Sequence, residues 1–400
     1  MLSANMLGQL IPFLVAPLLA RIFSPVDFAV QANFLAIVNL LGIVATGRLE
    51  LAIPLPKEHR KAQDLAFTGM MITLALSLIS VLIPVFSVEI GAWYEDAALP
   101  DYLWLVPISV ASVGVLGIAN NWVLRGQKYR VMSVGKVSQS LVNNLLAALL
   151  GYIGWGVSGL IIAWLLSQFV NAALLLMTVN KKPGRSDFNM EVMKSTLSEY
   201  RDFPLINSLH AFTDVFVTQF LLFWLIATGF GQFELGLFAL MFRYVRAPIV
   251  LVTSSVSQLY YVEAGKLMQQ GQSALPVMTR TLRTTFLFAI PFILVLLFFG
   301  PDLFGWYLGT EWIRAGEYAQ CISPMLFLYF LVSPVSGTPV LKGKQKQAFV
   351  FSLLGYGIST AGLLTALYLG KSFSTALWLY SGGYSLYQVF LLIWYRKLIR

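Results

Sequence analysis

Thr284-Thr285-Phe286-Leu287-Phe288-Ala289-Ile290-Pro291-Phe292-Ile293-Leu294-Val295-Leu296-Leu297-Phe298-Phe299-Gly300 contains no charged residue. A helix of that length is about 26 Å long, close to the thickness of a bilayer's hydrocarbon core. In lipid, every backbone donor and acceptor of such a stretch must be satisfied within it, so it must be helical. Similar stretches recur along the whole chain. We place twelve spans at 2–22, 28–46, 65–87, 102–123, 137–153, 157–179, 204–227, 235–259, 284–300, 318–337, 348–369 and 374–395. Of the 400 residues, 58% are hydrophobic and 11% charged, too little charge to cover a soluble domain. The expected fold class is an all-α integral membrane protein.

The net charge is +9. In a soluble protein that balance would point to nucleic acid. Here 22 of the 27 Lys and Arg residues lie in alternate connections, 47–64, 124–136, 180–203, 260–283 and 338–347, and in the tail 396–400. The opposite loops hold only Arg21, Arg314 and Lys371, with acids at Glu89, Glu95, Asp96 and Asp101. This asymmetry predicts that both termini and the basic loops are cytoplasmic, and that no nucleic acid is bound. One cysteine, Cys321, excludes an internal disulfide and reads as a small core residue. With two histidines, no usual zinc set is available, and no phosphate-binding Gly-rich loop with a Lys is present. No metal, cofactor or catalytic residue is expected, and the chain does not read as an enzyme. Met1–Ala20 lacks a preceding basic segment and reads as a first span rather than a signal peptide. Trp93, Tyr94, Trp104, Trp306, Tyr307 and Trp312 are placed at the membrane interfaces.

The longest connection, 180–203, holds Lys181-Lys182-Pro183-Gly184. It then puts Phe188, Val192, Met193, Leu197 and Tyr200 on one helical face, as in a helix lying on the inner membrane surface. It divides the chain into an N-terminal lobe, 1–180, a cytoplasmic amphipathic linker, 181–203, and a C-terminal lobe, 204–400. Two matches support duplication. Phe23-Ser24-Pro25-Val26-Asp27-Phe28-Ala29 echoes Phe230-Gly231-Gln232-Phe233-Glu234-Leu235-Gly236. Val123-Leu124-Arg125-Gly126-Gln127-Lys128 echoes Val340-Leu341-Lys342-Gly343-Lys344-Gln345. Two six-span lobes of equal orientation are related by a pseudo-two-fold axis along the membrane normal, and such an architecture holds its substrate between them.

Ionisable residues inside spans carry the functional signal, because each costs about 2.5–3.5 kcal/mol at the bilayer centre. Arg243 and Arg246 lie about 12 and 17 Å into the eighth span, counted from Leu235, and on one face. They read as a cationic patch lining a hydrated cavity for an anionic substrate, or as a snorkelling Arg246 beside an Arg243 paired to an acid. Asp214 is the one acid deep in a span, with His210 and Asn207 continuing its face. Asp214 and His210 read as an ion-coupling site for H+ or Na+, or Asp214 as a fixed partner of Arg243. Asn5, Gln9, Gln31, Asn33 and Asn39 on the first two spans suit either sugar hydroxyls or helix–helix glue. Asn120, Asn121, Asn143 and Asn144 are ambiguous in the same way. Arg48 and Glu50 close the second span as a gate or as an interfacial anchor. The substrate-binding candidates are Arg243, Arg246, Arg48, Asn207, Gln31 and Asn33.

Four stretches carry a family likeness: Ala20–Phe28, with Arg21-Ile22-Phe23-Ser24-Pro25-Val26-Asp27; Arg48-Leu49-Glu50-Leu51-Ala52-Ile53-Pro54-Leu55-Pro56-Lys57; Trp122–Lys136 with Ser138-Gln139 after it; and Gly236–Pro248. The chain resembles the oligosaccharide flippases of the polysaccharide transporter family, the O-antigen or Wzx type. These belong to the multidrug/oligosaccharidyl-lipid/polysaccharide exporter superfamily. The resemblance implies a V-shaped cationic central cavity and a location in the bacterial inner membrane. It implies an undecaprenyl-diphosphate-linked oligosaccharide moved from the cytoplasmic to the periplasmic leaflet by alternating access, with ion coupling and other polysaccharide assembly proteins as partners. It also implies a short basic leader, which would lie upstream of Met1. Three alternatives stand beside it: a multidrug or cation antiporter of the same superfamily, which favours acidic cavities; a membrane-embedded polysaccharide polymerase, which carries a large periplasmic loop; and a peptidoglycan-precursor flippase, which usually has two more spans. The longest outer loops here are about fifteen residues.

Overall fold

The computed structural model describes residues 2–178 and 190–399, and among them it is helical with no strand. The main helices are α1 (Leu2–Ile22), α2 (Pro25–Gly42), α3 (His59–Ile79), α4 (Val106–Arg125), α5 (Tyr129–Tyr152), α6 (Gly156–Met177) and α7 (Met190–Glu199). Then come α8 (Phe203–Phe230), α9 (Gln232–Gln269), α10 (Leu275–Leu308), α11 (Ile313–Val335), α12 (Gln345–Tyr368) and α13 (Phe373–Ile399). Ten helical stretches among the described residues are long and apolar enough to cross a membrane. Of the twelve stretches expected from sequence, α1 and α5 fall outside the ten. The apolar part of α1 is Leu10–Ile22, and α5 carries Lys136, Gln139, Asn143 and Asn144. Large apolar side chains stand open at the surface, Leu14 at 80% and Phe298 at 65% exposure, as a lipid-facing surface requires. This is a multi-pass membrane protein.

Local chemistry sets the helix ends. Ser24 caps α2 in a capping box. The Ser24 Oγ accepts from Asp27 N–H at 3.3 Å, and the Asp27 carboxylate accepts from Ser24 N–H at 2.7 Å. With Pro25 in the first turn, the helix therefore begins at 25, earlier than the expected 28. Helix α9 runs for 38 residues, past the expected end at 259, because no glycine turn interrupts it until Gly271. The second pair of matched segments folds as one motif. Lys128 N–H bonds Val123 C=O at 3.2 Å, and Lys344 N–H bonds Pro339 C=O at 2.7 Å. The left-handed residues are Gln127 (φ 52°) and Gly343 (φ 64°). Both are six-to-one helix-closing turns, aligned one residue away from the match by letters.

The chain forms two compact units, Met1–Gly236 and Leu237–Arg400. This division follows packing, whereas the lobes 1–180 and 204–400 follow sequence symmetry. In the first unit α5 packs on α6 and α1, α3 on α4, and α2 on α4, α6 and α8. Its core joins Val30, Phe34, Ile37 and Val38 of α2 to Tyr94, Leu99, Leu103, Val106 and Val110. In the second unit α10 packs on α11, and α13 on both α11 and α12. Two expected interface aromatics, Tyr94 and Trp312, are instead fully buried core residues, while Trp104 and Trp306 are exposed.

The linker differs from expectation. Lys181, Lys182, Pro183, Gly184 and Phe188 lie outside the described residues. Helix α7 does not present its apolar side to a membrane surface alone. Leu197 and Tyr200, with Phe203, pack on Leu49, Ile53, Leu65, Ile118 and Trp122, and Lys61 pairs with Glu199 at 3.1 Å. An apolar pocket at that end of α3 and α4 offers the same side chains a dry contact.

At the start of α9, Gly236 lies against the first turn of α2. A Cβ on Gly236 would overlap the Pro25 carbonyl and backbone. Gly236→Val should therefore cost more than the about 1–3 kcal/mol usual for overpacking, because the obstacle is main chain. Gly357, exposed and with nothing within 4 Å of a Cβ, should accept alanine with no loss or a gain of up to about 1 kcal/mol. Thermal unfolding of the two purified variants in detergent reads the difference.

Candidate functional site

Helix α9 supplies the two intramembrane arginines. Arg243 and Arg246 lie about 17 and 21 Å along the axis from its first residue, Gln232. Arg243 is exposed and its guanidinium carbon lies 5.9 Å from the Tyr244 ring centre. Arg246 is half-buried and lies over two rings, Phe242 one turn back at 5.0 Å and Tyr329 of α11 at 5.7 Å. Among the described residues of their own unit, neither guanidinium is ion-paired to a carboxylate. Aromatic faces supply part of the attraction that an acid would otherwise give, and they leave the positive charge unneutralised.

The expected ion-coupling residues sit on an irregular helix. Within α8, the α-helical turns Ser208–Val215 are bounded by two π-helical turns, Phe203–Asn207 and Phe216–Leu221. Such turns recur at functional sites because they free backbone groups and re-aim side chains. Asn207 ends the first π turn, and His210 and Asp214 follow on the intervening helix, one turn apart. Asn207 and His210 are exposed and Asp214 is half-buried. Thr218 donates its hydroxyl to the Asp214 carbonyl at 2.7 Å. The described residues contain no cluster of three or more potential metal ligands.

Arg48 lies at the end of the first unit that carries the basic loops. Its backbone is left-handed (φ 59°), and its guanidinium pairs with Glu50 at 3.7 Å. Glu50 is nearly buried and also accepts the Thr46 hydroxyl. Gln31 and Asn33 are buried in helix packing with their donors in use. Gln31 Nε2 donates to the Leu160 carbonyl at 3.2 Å. Asn33 Nδ2 donates to Asp96 at 3.0 Å and to Gln232 Oε1 at 3.1 Å, while Gln232 donates to the Tyr94 carbonyl at 2.6 Å. These bonds tie α2 to the loop before α4 and to the start of α9. Asn39 donates to Gln219 of the second π turn at 3.0 Å. Asn120, Asn121 and Asn144 donate to carbonyls of their own helices. Asn5 and Gln9 belong to α1, and their side chains lie outside the described residues.

Sequence reasoning missed Arg125. Its guanidinium donates to the carbonyls of Ile53, Pro56, Lys57 and Glu58, and so holds the whole 53–58 loop. The signal was there: Pro54 and Pro56 keep that loop from helical bonding and leave its carbonyls in need of donors.

A family profile described as polysaccharide biosynthesis protein matches residues 18–317. The chain belongs to this family. No curated protein matches it. Among solved structures, it is similar to the lipid II flippase MurJ in an inward closed conformation, with 13% identity and a TM-score of 0.78 over 98% of this chain and 86% of that one. It is similar to an inward-facing multidrug resistance MATE family transporter of the MOP superfamily, with 14% identity and a TM-score of 0.68 over 100% and 94%. A third likeness is to a MOP superfamily transporter from Pyrococcus furiosus, with 12% identity and a TM-score of 0.67 over 100% and 94%. At such identities these likenesses show the fold, which is that of MOP superfamily transporters.

The Arg48–Glu50 pair gives a direct test of its own energetics. Glu50→Leu strands a largely enclosed guanidinium and should cost about 3 kcal/mol. Arg48→Leu combined with Glu50→Leu should recover most of that loss, read as the unfolding midpoint in detergent. Equal losses in the single and double variants would show that the pair is not the source.

Proposed function

We propose that this protein is a flippase for an undecaprenyl-diphosphate-linked oligosaccharide, carrying it from the cytoplasmic to the periplasmic leaflet of the bacterial inner membrane. The observation that carries the reading is the pair Arg243 and Arg246, deep in α9, flanked by aromatic rings and without a carboxylate partner among the described residues of their unit. Two uncompensated cations in a membrane helix need an anion, and a diphosphate supplies one. Family membership in polysaccharide biosynthesis supports the sugar cargo. The likeness to a lipid II flippase supports a lipid-linked one. Movement is by alternating access of two six-span lobes, with both termini cytoplasmic and twelve spans in all. The charge asymmetry of the loops supports this orientation. The chain acts without an enzymatic step.

The likeness to a multidrug transporter keeps an antiporter in view. For the Pyrococcus furiosus transporter, a binding pocket of reverse polarity suggests a different function. Charge is the discriminator here too: a cationic drug would be repelled by Arg243 and Arg246.

Transport is coupled to an H+ or Na+ gradient, and Asp214 with His210 is the coupling site. The two π turns around them support a helix that changes shape as an ion binds or leaves.

In a strain that depends on this protein, Arg243→Ala and Arg246→Ala should each lower surface polysaccharide by at least about tenfold, the effect of losing one charge-assisted bond. Lipid-linked units should accumulate on the cytoplasmic side, with the variant present at normal levels. Full polysaccharide in both variants would overturn the reading. Asp214→Asn should abolish the dependence of transport on the ion gradient in reconstituted vesicles. Unchanged dependence would move the coupling site elsewhere.

A further inference from the structure

Helix α11 contains Pro324, which has no N–H to give to the carbonyl four residues earlier. Helix α13 supplies side-chain bonds to the backbone just after it. Met325 N–H bonds Ser381 Oγ at 3.3 Å. Gln388 is buried, and its amide fits in the orientation that satisfies both ends. Its nitrogen then donates to the Met325 carbonyl at 2.9 Å and its oxygen accepts from Tyr329 N–H at 3.2 Å. Met325 C=O and Tyr329 N–H are one turn apart in the helix. Gln388 therefore bridges this turn from α13 and braces the backbone that carries Tyr329. Tyr329 in turn lies against Arg246 from one helix, while Phe242 lies against it from another.

We propose that Phe242 and Tyr329 hold Arg246 as a pre-positioned anchor for one phosphate of the diphosphate, with Gln388 as the residue that positions Tyr329. This rests on the reading of the site given above and assigns its internal division of labour. Ring faces attract a guanidinium without taking up the N–H groups along its edge. That edge is a planar fork that matches two oxygens of one phosphate. A side chain held in place loses little freedom on binding, so its bonds count nearly in full. Arg243 is exposed beside the single ring of Tyr244 and serves as the adaptable partner for the other phosphate. Lysine cannot replace Arg246, because an ammonium offers neither the plane nor the fork.

The test uses the full chain in lipid nanodiscs, with farnesyl diphosphate as the charged probe and farnesol as its uncharged counterpart. Tyr329→Phe keeps the ring and should bind farnesyl diphosphate within about twofold of the wild type. Tyr329→Leu and Gln388→Leu should each weaken it by about tenfold, and farnesol binding should not change. Arg246→Lys should be as weak as Arg246→Ala. If Tyr329→Leu does not fold, Phe242→Leu and Arg246→Lys give the same reading. Wild-type affinity in Tyr329→Leu or Phe242→Leu, or in Arg246→Lys, together with loss in Arg246→Ala, would overturn the clamp and leave the anion site standing. Wild-type affinity in Arg243→Ala and Arg246→Ala would remove the anion site itself.

Discussion

A bilayer offers no water to a backbone amide or to a charged side chain, and the layout of this protein follows from that shortage. At two exposed helix ends the Gln127 and Gly343 turns close the same six-to-one bond. Every break inside a helix has to be repaired by a neighbour. Beside Pro324, Ser381 and Gln388 of α13 bond the backbone of Met325 and Tyr329. Of the amides read from sequence as sugar contacts or helix glue, Gln31, Asn120, Asn121 and Asn144 give their N–H groups to carbonyls of their own or adjacent helices.

Against that background the arginines divide by what neutralises them. Arg48 has Glu50, and Arg125 has four loop carbonyls. Both are closed local circuits at the end of the first unit that holds the basic loops. Arg243 and Arg246 lie against rings, and among the described residues of their unit no carboxylate pairs with either. A ring face attracts a cation without cancelling its charge, so the field of the two guanidiniums persists at a depth where a neutral ion pair would have none. This physical difference, rather than their mere presence in a span, separates the candidate anion site from structural cations.

Much of the fold was legible. The apolar runs, their order and the approximate turns all follow from composition and punctuation. The misreadings share a cause. Helix α2 starts at Pro25 because a capping box outweighs the apolar boundary, and the extension of α9 past 259 reflects the lack of a breaker in a polar stretch. Tyr94 and Trp312 were read as interfacial by residue type, but type does not say which aromatics the packing encloses. The linker's apolar stripe was visible, yet nothing in its letters chose between a membrane surface and the pocket beside Trp122.

The sequence alone determined that this chain is helical, crosses a membrane many times and carries two arginines on one face of an apolar helix, because hydrophobic length and helical period are local properties. Only the tertiary structure decided what surrounds those arginines. Phe242 lies four residues away and could be guessed from that spacing. Tyr329 and Gln388 come from helices that are 83 and 142 residues further along the chain than Arg246, and are brought into play by packing around a proline. Contacts at such separations leave no periodic trace, so the setting of the site had to come from the folded molecule.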